Sequence, residues 1–257
     1  MKRSLTVLLI LLTLLASAQR TSRRREETPA KPEASPAPAA APTPDYHALR
    51  VKLSVPPYGL DKVKGLIDRL KGDEDGNEIL AEQDYEALSL REKFTYHMIH
   101  AESYSQNCDA MPPIKNEDKK IFPYIAEAFD EAEWSERQTK FLSAHRDSVM
   151  AIMRESILRS KRVGVNYKQA ILEINAVELI PDLIAVYKAN SKFRDLDILS
   201  LMMQLMKENE YEAFLMSPSY KKLYAEDADY RSYLNYNPAN EALIIRRATD
   251  FYHANKK

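Results

Sequence analysis

Glycine is almost missing from this chain: five occur in 257 residues, and beyond Gly76 the sole one is Gly164. Phosphate-cradling loops, dinucleotide fingerprints and nucleophile elbows each need glycines at fixed offsets, so that backbone can approach a ligand or turn sharply. None of these patterns is present. Cysteine is rarer still, with Cys108 alone, so no internal disulfide can form and the fold must hold by packing. Charge of one sign is lacking too. Thirty-seven Lys and Arg nearly cancel thirty-eight Asp and Glu, for a net charge of -1, which leaves no overall field drawing the protein to nucleic acid or to an acidic membrane surface. The apolar run from Leu5 to Leu15 falls short of the roughly twenty residues that span a bilayer.

What is there begins with that run. Lys2 and Arg3 precede it and Ala16-Ser17-Ala18 follow it, which is the order of charged, apolar and small-residue regions in a secretory signal peptide. Residues 1–18 therefore read as a signal cleaved after Ala18, and the protein as secreted or periplasmic. Arg20, Arg23, Arg24 and Arg25 oppose translocation of the run they follow, so retention as a membrane anchor is the alternative, and a membrane is a partner only if the signal stays uncleaved. No cysteine follows the small residues, which removes a bacterial-type lipid attachment. Residues 19–44 form a spacer. From Glu26 to Pro44 it reads EETPAKPEASPAPAAAPTP, too proline-rich and too poor in large apolar side chains to fold, and at about 3.1 Å per residue it can reach several nanometres.

Residues 45–257 read as one helical domain. Leu, Ala, Glu, Lys and Met are plentiful, as helices favour. Ser89 with Glu92 fits a capping box opening a helix to about Ala101, and Ser135 with Gln138 opens a second, longer one. That one is expected to end where Arg159, Lys161 and Arg162 face the negative pole of the helix and Gly164 supplies a left-handed turn. Asn237-Pro238 caps a last helix through Ile244, Ile245 and Phe251. The alternation of a half-buried strand is absent. The fold class is thus all-α.

Residues 176–206, AVELIPDLIAVYKANSKFRDLDILSLMMQLM, place an apolar helix carrying Ile180-Pro181 and Leu183-Ile184 before a short polar turn and an Arg194-led apolar helix. This resembles a HEAT-like repeat, a family whose paired helices stack into scaffolds that bind other macromolecules. At an offset of fifty-eight, IFPYIAEAF at 121–129 aligns with LIPDLIAVY at 179–187, matching Pro123 to Pro181, Ile125 to Leu183 and Phe129 to Tyr187. Two architectures are compatible with this pattern: a short array of such hairpins, or an irregular helical bundle, since arrays need about three units to bury a continuous core.

Three stretches carry candidate chemistry. HMIHAESYSQNC, residues 97–108, gathers His97, His100, Glu102 and Cys108. At about 100° per residue, His97 falls among Leu90, Phe94, Met98 and Ala101 on the apolar face, with His100 about 60° away. Two histidines three apart can share a metal, but a continuing helix turns Glu102 about 140° from His97, so a third ligand must come from elsewhere. Cys108 reads as a small buried side chain, with an intermolecular bridge or a reactive thiol as the chemical alternatives. KGDEDGNEILAE, residues 71–82, resembles an EF-hand calcium loop, which implies Asp73, Asp75 and Glu82 as ligands around the turn at Gly76. It departs from that pattern with Lys71 where a carboxylate is needed and Glu78 where an apolar residue belongs. The third stretch is rich in tyrosine, with Tyr211, Tyr220, Tyr224, Tyr230, Tyr233 and Tyr236; these read as seams between short helices, where the ring is buried and the hydroxyl stays wet.

These observations lead to an exported, non-enzymatic helical binding module for a protein or another envelope component, with no cofactor and no nucleic acid. The alternative is a secreted hydrolase, metal-dependent or not, around His97, His100 and Cys108. The terminal reading is tested directly: mass spectrometry of exported protein should find a mature chain starting at Gln19, and Met1 retained in a membrane fraction would refute it.

Overall fold

Twelve α-helices run through the described residues of the computed structural model, which comprise 46–106, 114–190, 193–229 and 231–256. Residues 1–44, read above as signal and spacer, and Cys108 lie outside that set. In chain order the helices are α1 (Tyr46–Arg50), α2 (Leu60–Ile67), α3 (Glu82–Glu86), α4 (Leu90–Ile99), α5 (Glu136–Ala144) and α6 (Arg146–Ser160). They continue with α7 (Val165–Glu173), α8 (Ile180–Ala189), α9 (Asp197–Glu208), α10 (Glu212–Leu215), α11 (Pro218–Tyr224) and α12 (Pro238–Asn255). The fold is all-α in class. Among the described residues no helix is long and apolar enough to cross a membrane.

The three helix starts read from the sequence are built as capping chemistry requires. Ser89 and Ser135 each accept a hydrogen bond from the backbone N–H three residues on, while the Glu92 and Gln138 side-chain oxygens accept from the backbone N–H of the cap. Asn237 accepts from the Asn240 N–H at 2.9 Å, and Pro238 takes the first helical position. The ends were less legible. Helix α4 stops at Ile99 because His100 turns extended, and the long helix expected after Ser135 breaks at His145 into α5 and α6. At that break the Arg146 guanidinium reaches the carbonyls of Ile174 and Asn175, both at 2.8 Å, and so anchors the start of α6 to the end of α7.

Two further expectations are corrected. Strands do occur, as two minimal antiparallel ladders: β1 (Ser103–Tyr104) pairs with β3 (Ala132–Glu133), and β2 (Lys120–Ile121) pairs with β4 (Leu234–Asn235). Alternation over two residues leaves no sequence pattern to detect. Residues 122–131 also form no helix, so the offset of fifty-eight relates α8 to an irregular segment. The Pro123 carbonyl accepts instead from Gln204 Nε2 at 2.7 Å and from the Tyr224 hydroxyl at 2.9 Å, side chains of α9 and α11.

Helix α9 is the centre of the packing. Its residues Ile198, Leu199, Leu201, Met202, Met203, Leu205 and Met206 are all buried, a wide apolar arc turned to the core, while Gln204, Lys207 and Glu208 take the opposite side of the helix. Helices α7, α8, α10 and α12 pack against it. A smaller core of Val63, Leu80, Tyr85, Leu88 and Tyr96 joins α2, α3 and α4.

Gly164 does not supply the left-handed turn; Lys161 does, at φ 53°, while Gly164 is extended and precedes α7. Its role is proximity. A Cβ there would stand 2.1 Å from the Ser54 backbone nitrogen, where the Ser54 hydroxyl accepts the Gly164 N–H at 2.8 Å. Asn166 completes the junction, accepting from the Ser54 N–H and donating to the Ser54 and Met98 carbonyls. Gly164→Ala should therefore lower stability by about 3 kcal/mol, the upper range for overpacking against backbone. A chemical-denaturation midpoint unchanged from wild type would contradict this.

Candidate functional site

The inward face of α4 carries Phe94, His97 and Met98 into the core, and His97 is 0 % exposed. Its ring lies among Phe141, Tyr96 and Tyr85, with centroids 4.7, 5.4 and 5.7 Å away. Both ring nitrogens are engaged. Nδ1 accepts from Gln138 Nε2 at 2.9 Å, which leaves the proton on Nε2 to be donated to the Tyr85 hydroxyl oxygen at 3.0 Å. Burial, followed by the Arg137 and Lys93 charges, holds the His97 pKa well below the usual histidine value, so the ring is neutral.

The same glutamine organises the chain that leaves α4. Its second amide hydrogen goes to the His100 carbonyl at 2.9 Å, and its oxygen accepts from Glu102 N–H at 2.9 Å and from Ser135 N–H at 3.1 Å. His100 points elsewhere, donating from Nε2 to the Glu78 carbonyl at 2.7 Å. Because α4 ends at Ile99, Glu102 is freed from helical direction and folds inward, 1 % exposed. There it accepts from the Tyr96 hydroxyl at 2.7 Å, the Ser135 hydroxyl at 2.5 Å and the Arg137 guanidinium. The cluster seen in the sequence is thus a buried hydrogen-bond network. His97 and His100 do not converge on a shared point, and an imidazole with both nitrogens bonded and no exposure cannot meet a solvent-borne ion or substrate without breaking it. Cys108 lies outside the described residues.

The calcium-like loop is likewise occupied with itself. Asp73 Oδ1 accepts from Asp75 N–H and Asn77 N–H at 2.9 and 2.8 Å, and Oδ2 from Asn77 Nδ2 at 3.1 Å. These bonds, Asn77's foremost, lower the Asp73 pKa and give its carboxylate a turn-forming role. Glu82 sits in the first turn of α3 and pairs with Arg137 at 3.0 Å. Asp73, Asp75 and Glu82 are not brought round one point, and among the described residues no group of three or more His, Cys, Asp or Glu side chains is placed to hold a metal ion.

A buried ionic cluster escaped sequence reading. Arg50 Nε bonds both Asp197 oxygens at 3.1 and 3.0 Å, and its Nη1 reaches Glu117 at 3.4 Å. Lys168, 0 % exposed, pairs with Asp195 at 2.8 Å. One signal was available: Lys168 stands three residues from both Val165 and Ile171, on the face of α7 that they bury. The tyrosine-rich third packs as expected where it is described. Tyr211 lies on Phe251, Tyr220 and Tyr224 meet Phe214, and Tyr233 meets Phe122; Tyr230 is outside the described residues.

A cleft of about 600 Å³ lies open between the 127–134 segment, α7 and α9. Phe129 and Trp134 form an aromatic wall, with ring centroids 5.9 Å apart, and the Trp134 N–H is tied to the His97 carbonyl at 2.7 Å. Around it stand Glu127, Asp130, Glu133, Glu173 and Glu208, with no lysine or arginine among the described lining residues. Glu208 has Lys207 as a neighbour, at 2.7 Å. Sequence reading missed this cleft because its walls come from segments far apart in the chain. No protein-family model matches the chain, and no curated protein or solved structure matches it significantly.

The His97 network makes a sharp prediction. Leucine in place of His97 would leave the Gln138 amide hydrogen and the Tyr85 hydroxyl buried without their partner, at about 1–3 kcal/mol each, so His97→Leu should destabilise by about 2–4 kcal/mol and no chelator should shift either melt. The folded pKa lies below the unfolded 6.5, so the contribution of His97 is full above that value and declines as pH falls towards the folded pKa. The slope is about 1.4 kcal/mol per pH unit. The stability difference between wild type and mutant should therefore shrink from pH 7 to pH 5, and a constant difference would refute the buried neutral ring.

Proposed function

We propose that the chain is an exported, non-enzymatic helical module that binds a protein partner through the acidic cleft beside Trp134. The observation that carries this reading is the cleft itself, where aromatic surface shares one concavity with the exposed carboxylates of Glu133 and Glu173 and no described lining residue is lysine or arginine. Such a surface suits a basic peptide segment, in which ammonium or guanidinium groups find carboxylates and their apolar stems find rings. The hydrolase alternative finds less support. His97 is sealed in the core and His100 bonds a backbone carbonyl, so neither is free to act on a substrate. Export rests on the Lys2–Ala18 pattern, with secreted or periplasmic as the location. The HEAT-like reading is supported by the α8–α9 hairpin, whose helices pack on one another and together receive α12.

Trp134 is the chain's sole tryptophan, so its emission reports directly on the cleft. Titration with a lysine- and arginine-rich peptide should shift that emission saturably. Replacing Glu133 and Glu173 together by Gln should weaken binding at least fivefold, and 0.5 M salt should do the same, because it shortens the Debye length to a few ångströms. Saturable binding indifferent to both carboxylates, or no change in emission, would defeat the proposal.

A further inference from the structure

A second concavity, of about 350 Å³, opens where α1, the turn between α6 and α7, α8 and the start of α9 meet. Its wall is mostly apolar, supplied by Leu49, Val163, Val186 and Ile198, and three ionic residues, Lys161, Arg162 and Asp195, also line it. Arg162 and Asp195 differ in how they are met. Asp195 accepts from the Lys168 ammonium at 2.8 Å. Arg162 donates from Nη1 to the Leu53 carbonyl at 2.9 Å and from Nη2 to the carbonyls of Lys52 and Leu49. Its Nε is buried and has no hydrogen-bond partner.

Carbonyl dipoles satisfy donors, but they bring no counter-charge. Among the described residues no carboxylate ion-pairs with Arg162, and Asp195 acts on it only at longer range. Burial accordingly draws the Arg162 pKa below its ordinary value. A desolvated cation without a paired anion is costly, and here it borders an apolar hollow of the size that small ligands occupy. Lys161, on the same lining, adds a second positive charge.

We propose that this cavity binds a single-chain amphiphile with an anionic head group, the chain lying against Leu49, Val163, Val186 and Ile198 and the head meeting Arg162. The site is separate from the acidic cleft, and the proposal stands or falls independently of that reading. A guanidinium accepts carboxylate or phosphate oxygens alike, so head-group charge rather than its identity is the claim, and the amphiphile is taken up as a free monomer.

Calorimetric titration of the full mature chain tests this with decanoate, decanol and decyltrimethylammonium. Decanoate should bind with one-to-one stoichiometry and at least tenfold more tightly than either of the others. Leu49→Trp, which places a ring in the cavity from a half-buried position, should abolish decanoate binding while leaving peptide binding at the acidic cleft, followed by the same calorimetry, unchanged. Arg162→Gln should cut the preference for decanoate over decanol to less than threefold. No decanoate binding, equal affinity for decanol, or binding undiminished by Leu49→Trp would each overturn the proposal. Co-sedimentation with phosphatidylglycerol vesicles in the absence of decanoate binding would overturn it as well, since the surface would then recognise a membrane instead of a monomer.

Discussion

The side chain of Gln138 is the point on which the α4–α5 half of the structure turns. Its amide has two hydrogens and an oxygen with two acceptor sites, and all are used, on His97, the His100 carbonyl, Glu102 and Ser135. One residue thereby closes the cap of α5, fixes the tautomer of a buried histidine and holds the chain that leaves α4. Glu102 is drawn under by the same geometry and given Tyr96, Ser135 and Arg137 as partners. A fully satisfied buried network specifies one arrangement, because each alternative leaves a polar group unpaired in low dielectric. Trp134 is oriented by it too, through the His97 carbonyl, so the wall of the acidic cleft inherits its rigidity from the network behind it.

The buried ions do comparable work between distant parts of the chain. Arg50 and Asp197 are 147 residues apart and meet out of water, while Glu117 and Lys168 tie the 3-10 turn before β2 and helix α7 to the same centre. Pairs of this kind give little net stability over apolar packing, yet losing one partner is strongly unfavourable. Their effect is on which elements sit together. They seat α1 at the start of α9 and so build one wall of the smaller cavity. Both concavities are thus products of polar interactions that the apolar core alone would leave unspecified.

How much of the site was visible beforehand depends on the range of the interaction. His97 was legible as a core residue because Leu90, Phe94 and Met98 share its helical face, a relation contained within a single short helix. That it must also be hydrogen-bonded at both nitrogens was not, since Gln138 lies 41 residues on. Glu102 was misplaced for a related reason. Its direction was inferred from a continuing helix, and His100 ends that helix by turning extended. The cleft was invisible, because Trp134, Gln169 and Gln204 belong to three separate elements.

By itself, the sequence determined the helical class, the capped starts of α4, α5 and α12, and the lack of glycine-dependent motifs. Each of these is local: a cap closes within four residues, and propensity acts residue by residue. Tertiary structure alone decided that α5 and α6 break at His145, that residues 122–131 stay irregular, and that Gly164 is needed for close approach to Ser54. It also decided that His97 and His100 are buried while carboxylates line an open cleft. These outcomes depend on which distant donor meets which acceptor once the core has formed, and a buried polar group takes whatever partner the packing brings within reach.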